Sequence, residues 1–328
     1  MQLNFLKMIK KVFCILFIFC FASCLTNQNT RTYIYNNNKI LGNRIDALKT
    51  TKDIVEFAKS IYPKFAKNGS GNMKIKTTDS IAEDLYCNGF FKAWNVKNWE
   101  KIDINNDGNT DLIFQAYWLN EYSPYAIVYN GKNNFKLFSF STNAYNVCEL
   151  IKPIKIEDRN ELMIYHSKSF ANNELRNIPR ITIVDTLTYK FGSFIEINHN
   201  KEIKYDVESI EIKTSPCFGG CPSYDLKINK KGIAEYNGKS FTDYKGKSVK
   251  KIPQKKFKKI VRLLEYIRIN DLDNEYDVDW TDSQTSYLKI LFSDGSVKEV
   301  RDYGMQGSFG LTTVYANLLT IVNETNWK

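Results

Sequence analysis

Oxygen-bearing side chains recur at every second position of Asp103-Ile104-Asn105-Asn106-Asp107-Gly108-Asn109-Thr110-Asp111. Asp103, Asn105, Asp107, Asn109 and Asp111 form a spaced donor set, and Gly108 permits the tight turn it needs. The chemistry this suits is capture of a hard cation, since Ca²⁺ takes about six to eight oxygen ligands. Three carboxylates this close also repel one another unless a cation neutralises them. The same residues suit an Asx-rich turn with no metal, because Asp and Asn side chains accept from nearby backbone N–H groups. The spacing does not suit an EF-hand. Its twelfth position needs a bidentate Glu, and that position is Phe114.

A second spacing with chemistry in it is Cys217-Phe218-Gly219-Gly220-Cys221. Two Cys this close can close a small disulfide loop, and Gly219-Gly220 gives the backbone freedom to do so. Free or regulatory thiols and redox chemistry stay open. A thioredoxin-like site uses two intervening residues rather than three, and zinc needs two further ligands. Cys87 and Cys148 either pair with each other or are buried separately. Enzyme signatures of the types GxSxG, HExxH, P-loop and GxGxxG do not occur. His166 and His199 stand alone in the sequence. No catalytic residue is assigned on this basis. Carboxylate pairs leave one enzymatic alternative, an envelope hydrolase.

Composition sets the frame for both motifs. The chain has 328 residues, 43% hydrophobic and 25% charged, which is ordinary globular composition. The 46 Lys and Arg outnumber the 36 Asp and Glu, for a formal charge of +10. Lys7, Lys10 and Lys11 precede an unbroken apolar run from Val12 to Ala22. As a helix the run rises only about 16 Å, short of the ~30 Å hydrocarbon core. It therefore reads as the apolar region of a signal peptide. The next residues, Phe21-Ala22-Ser23-Cys24, resemble a bacterial lipobox, with Phe21 where that family has Leu, Val or Ile. The resemblance implies cleavage before Cys24, lipidation of Cys24, and attachment to a membrane. Ordinary cleavage near Ser23 and a retained membrane anchor are the alternatives. Residues 24–45 are polar and Asn-rich and read as a tether.

The rest divides near residue 200, in His199-Asn200-Lys201. Ile54, Phe57, Ala58, Ile61 and Phe65 repeat at helical spacing over residues 50–66. Thr50 or Thr51 caps the start, and Pro63 ends or kinks the helix. Residues 67–80 read as a loop. From residue 90 onward short apolar runs alternate with turns, so 46–200 is predicted to be mostly β with a leading helix. Asn130-Gly131 marks a hairpin turn, and no internal repeat is visible. In residues 201–328 the order β-β-β-α-β-β-α predicts an antiparallel sheet with two helices on one face. The fold class is therefore α+β.

The Asp103–Asp111 loop is followed by the strand-like Leu112-Ile113-Phe114. It resembles the DxNxDGxxD calcium loops of FG-GAP and integrin-like β-propeller repeats. That resemblance implies side-chain ligands from Asp103, Asn105, Asp107 and Asp111, with a backbone carbonyl from Asn109. It covers about twenty residues and one copy of the loop. Cys217 to Tyr224, with Tyr236-Asn237-Gly238 and Thr281-Asp282, resembles a domain family of exported bacterial proteins marked by CFGxCPxY. This resemblance implies a fold unit and an exported setting, and no activity.

Lys245 to Arg262 holds nine basic residues and no acid. The run reads as the solvated face of an amphipathic helix, or as a surface for anionic lipid or polymer. Residues 271–282 are acidic and read as a solvated loop or a second cation site. Nucleic acid is not an expected partner, because the chain reads as exported and no recognition motif appears. The expectation is a cell-envelope lipoprotein on the periplasmic side. It would be a non-catalytic binding or structural module, with Ca²⁺ as a structural cofactor. Its partners would be the membrane, through the lipid, and an envelope polymer or protein.

Overall fold

The computed structural model describes residues 43–66, 72–85, 93–119, 121–141, 149–167, 182–201, 203–278 and 280–328. Residues 1–23, Cys24, most of the expected tether, Gly69 to Gly71, Cys87 and Cys148 lie outside the described residues, as does the side chain of His166.

Helix α1 spans Thr51–Ile61. Thr50 Oγ1 accepts from the Asp53 N–H at 3.2 Å, and the Asp53 carboxylate accepts from the Thr50 N–H at 2.9 Å. This reciprocal cap satisfies two N–H groups that a helix start leaves orphaned. The helix stops at Tyr62, before Pro63, and a 3₁₀ turn follows over Pro63–Ala66. A second helix, α2, covers Thr78–Leu85. It begins inside the stretch expected to be loop, where Thr77 Oγ1 accepts the Ser80 N–H.

Two four-stranded antiparallel sheets follow, each in simple chain order. The first holds β1 (Trp99–Ile102), β2 (Asp111–Trp118), β3 (Glu121–Tyr129) and β4 (Phe135–Ser139). The second holds β5 (Glu149–Ile156), β6 (Arg159–Ser167), β7 (Thr182–Lys190) and β8 (Ser193–Glu196). Strand β2 is buried on both faces. Leu112, Phe114 and Ala116 pack with Ile54, Phe57 and Phe65 of the leading helical segment. Ile113 instead joins Ile151, Leu162, Ile164 and Leu187 of the second sheet. The first sheet is thus the middle layer between helix and sheet. The repeated meander is an architectural repeat that the residues do not display, because its two copies differ in their first connection. The 103–110 loop joins β1 to β2, whereas only Glu157-Asp158 joins β5 to β6.

The second half builds a seven-stranded sheet from β9 (Val207–Thr214), β10 (Ser223–Asn229), β11 (Ile233–Ser240), β12 (Gly246–Lys251), β13 (Glu275–Asp277), β14 (Thr285–Phe292) and β15 (Val297–Tyr303). The spatial order is β12-β11-β10-β9-β14-β15-β13. All neighbours are antiparallel except the short edge strand β13, which runs parallel to β15. Helices α3 (Gln254–Tyr266) and α4 (Phe309–Glu324) share one core with Ile210, Ile212, Leu226, Ile228, Leu288 and Ile290. The α+β class and the two-helix antiparallel sheet agree with the sequence reading.

The opposite face of this sheet is a charge ladder. Glu235 on β11 faces Lys227 on β10, which faces Glu211 on β9. Glu211 in turn faces Lys289 on β14, which faces Glu299 on β15 at 2.6 Å. Opposite charges placed across strands stabilise a sheet by about 0.2–1 kcal/mol per pair. Three Glu and two Lys thus alternate across five strands.

The two halves meet through Glu196 at the end of β8. Its carboxylate accepts the Phe309 N–H at 2.7 Å and the Gly310 N–H at 2.9 Å, at the start of α4. A carboxylate suits the positive end of a helix, although burial pushes this group above its ordinary range. Asn198 adds bonds to the Tyr266 hydroxyl and carbonyl.

Candidate functional site

The Asp103–Asp111 loop divides its acids between two jobs. Asp111 is fully buried. One of its oxygens accepts the Ile104 and Asn105 N–H groups at 3.1 and 3.3 Å, and the other accepts the Tyr129 N–H at 2.8 Å. Burial raises this carboxyl and the three N–H donors oppose the shift, with a net value of about 7. Asp111 therefore works inward, tying the loop to β3. Asp103 and Asp107 stay at the surface. Asp103 accepts the Asp107 and Gly108 N–H groups at 3.1 and 2.8 Å. Asn105 accepts the Asp107 N–H, and Asp107 accepts the Asn109 N–H at 2.8 Å. Gly108, at φ +86°, makes the turn that closes these bonds.

The loop also docks on the second sheet. Asn106 and Asn160 exchange two hydrogen bonds, at 2.9 and 2.8 Å, and Asn160 Nδ2 donates to the Asp103 carbonyl at 2.7 Å. Asn160 was not singled out by the sequence. Its only signal there is an Asn two residues past the tight Glu157-Asp158 turn. Among the described residues, no group of three or more His, Cys, Asp or Glu side chains is placed to hold a metal ion. With Asp111 turned inward, the outward donors are Asp103, Asn105, Asp107 and Asn109.

The cysteine motif forms a compact loop between β9 and β10. The Cys217 and Cys221 sulfurs sit at bonding distance, with their Cα atoms 5.7 Å apart. The stems are held firmly. Gln284 Nε2 donates to the Ser215 and Pro222 carbonyls at 2.8 and 2.7 Å, one on each side of the loop. Thr214 Oγ1 donates to the Pro222 carbonyl and accepts the Tyr224 N–H. The Phe218 N–H donates to the Asp282 carbonyl at 3.1 Å. The Phe218 ring nevertheless stands 88% exposed, and Phe241, nearest the loop at Gly220, is 61% exposed. Beside them Pro216, Lys239 and Tyr287 border a groove of about 360 Å³, near the lower end of small-molecule sites. Phe241 was missed because it is a lone aromatic in the polar turn Ser240-Phe241-Thr242-Asp243.

The acidic stretch 271–282 is not a free cluster. Asp271 pairs with Arg268, and Asp277 pairs with Arg301 at 2.8 Å. His199 is exposed. The basic run splits between two elements, since Lys247 to Lys251 lie on edge strand β12 and Lys255 to Arg262 on α3.

No curated protein and no solved structure matches the chain. Residues 208–322, which run from β9 into α4 and include the cysteine loop and the charge ladder, match a domain of unknown function, DUF6438.

Proposed function

We propose that this chain is an exported, lipid-anchored binding module of the cell envelope. The observation that carries the reading is the cysteine loop. A bonded Cys217–Cys221 pair belongs to an oxidising compartment. The loop it closes holds Phe218 in water on a stiff base, and a rigid exposed aromatic is what a protein partner buries first. The apolar run Val12 to Ala22 with Phe21-Ala22-Ser23-Cys24 supports export and lipidation at Cys24. Several acyl chains hold a protein on a bilayer where one does not.

The first half adds a structural Ca²⁺ site in this reading. Asp103, Asn105, Asp107 and Asn109 would hold the ion, and the ion would neutralise the outer carboxylates. Two carboxylates make a weak site, in the range of extracellular modules, about 10⁻⁴–10⁻³ M. The loop lies in a four-stranded sheet, the size of one propeller blade, although two sheets fall short of the about four to eight blades of a propeller.

Thiol alkylation tests the compartment. In protein taken from the native host and denatured without reductant, Cys217 and Cys221 should resist maleimide. Both should react after reduction. Reaction of both before reduction would remove the support for export.

A further inference from the structure

We propose that the solvent face of α3 docks on an anionic phospholipid surface. The inference rests on the lipid-anchor reading only for the nearness of that surface. Lys255, Lys258, Lys259 and Arg262 follow helical spacing and are all exposed. Phe257, Ile260, Leu263 and Leu264 fill the core from the other side of the same helix. No acid occurs between Lys245 and Arg262 in the sequence. Among the described residues, Lys256 pairs with Glu324 at 2.8 Å, and no ion pair joins the four exposed cations to an acid. Lys250, on the helix-facing side of β12, instead donates to the Lys328 carbonyl. Lys136 of β4 extends the positive surface, its pKa lowered by burial and then by the nearby Lys259 charge.

The contrast within one domain decides between a solvated face and a docking face. On the far side of the sheet Lys227 and Lys289 each stand opposite Glu residues. On β9, β10, β11, β14 and β15 the chain sets acids beside its cations, which among the described residues it does not do for Lys247 and Lys251 at the β12 edge of that face or for the four cations of α3. A row of unpaired cations beside a negative surface is drawn to it over roughly a Debye length, about 8–10 Å at physiological salt. The surface is also within reach. Only 18 residues separate Cys24 from Asn43. Even fully stretched they span about 65 Å. Two attachments, the lipid and α3, would fix how the folded body stands on the bilayer, with the far face of the sheet turned outward.

The four buried cores lie within residues 43–328, so the chain lacking residues 1–24 keeps its folded body and is free of the lipid. Its co-sedimentation is compared on vesicles of phosphatidylcholine alone and of phosphatidylcholine with about 30% phosphatidylglycerol, an anionic lipid. Partitioning should rise at least about tenfold on the anionic vesicles and fall back at high salt. K255E/K258E/K259E should abolish the rise, while K227Q and K289Q keep it. Equal partitioning on both vesicles would overturn the proposal. So would binding to soluble polyphosphate without binding to vesicles, which would point to an anionic polymer. A thermal melt of each variant confirms that it is folded. Acylation of Cys24 is read separately, so failure of the anchor and failure of the docking face are distinguishable.

Discussion

Replacing Asp111 with Ala should destabilise the protein by roughly 3–5 kcal/mol. The buried Ile104 N–H and the half-buried Asn105 and Tyr129 N–H groups would lose their acceptor, and a donor left unpaired in the interior costs about 1–3 kcal/mol. At about 2 °C per kcal/mol for a unit of this size, the melting temperature should fall by roughly 6–10 °C. Asp111→Asn, which keeps one carbonyl acceptor, should lose less. Asp107→Ala, at the surface, should lose little in EDTA. The same residue sets a pH dependence. Its native value of about 7 lies above the ordinary 3.8. Between those values the native state holds a proton that the unfolded chain has released. The stability linked to it is present in full below about pH 4 and is lost as pH rises through 7. Ca²⁺ bound at Asp103 and Asp107, as proposed, would favour the ionised carboxylate and oppose that loss. The stabilisation by 10 mM Ca²⁺, about 1.4 kcal/mol for a millimolar site, should therefore be larger at pH 8 than at pH 5 and absent in Asp107→Ala. Melts that are flat with pH and indifferent to Ca²⁺ would reduce the loop to a polar turn.

Asp302→Ala should be equally costly in the second half. Asp302 is 1% exposed. It accepts the Gln306 N–H at 3.0 Å, the Gly307 N–H at 2.9 Å and the Tyr315 hydroxyl at 3.1 Å. It thereby ties the β15–α4 connection to the middle of α4. A Cβ on Gly307 would meet the Tyr276 ring at 2.6 Å and Asp302 at 2.9 Å, so the connection has no room to repack. Burial raises the Asp302 carboxyl and also lifts the Tyr315 phenol. The loss should again be roughly 3–5 kcal/mol. Tyr315→Phe, which removes one of the three donors and leaves the carboxylate, should cost about 1 kcal/mol. Chemical denaturation of the three proteins checks the order. An Asp302→Ala protein as stable as the parent would show that the connection relaxes around the loss.

The elements legible in the sequence are those whose local signals agree. Thr50 and Asp53 cap a helix whose apolar spacing already marked it. Asn130-Gly131 sits between apolar runs and does form the β3–β4 turn. The elements that escaped have signals that conflict. Strand β5 carries Lys152, Pro153 and Lys155 and is tolerated because it lies at a sheet edge, where a missing N–H costs nothing. Strand β12 is Lys-rich for the same edge position, where charge blocks further pairing. Its charges merged with those of α3 into one apparent helical run. Helix α2 is short and weakly apolar, so flanking glycines and polar residues hid its start. For the sites, spacing placed Cys217 with Cys221 and grouped the loop oxygens. It did not reveal that Asp111 turns inward, because that follows from β3 lying alongside and from nothing within the loop. Exposure of Phe218 and Phe241 was equally illegible, since it depends on which strands end beside them.

The mass of the mature N-terminus tests whether the chain is exported and anchored. Protein extracted from host membranes should begin at Cys24 and carry the added mass of its acyl chains, and Cys24→Ala should leave the membrane fraction. An N-terminus at Met1, or an unmodified residue 24, would contradict the account.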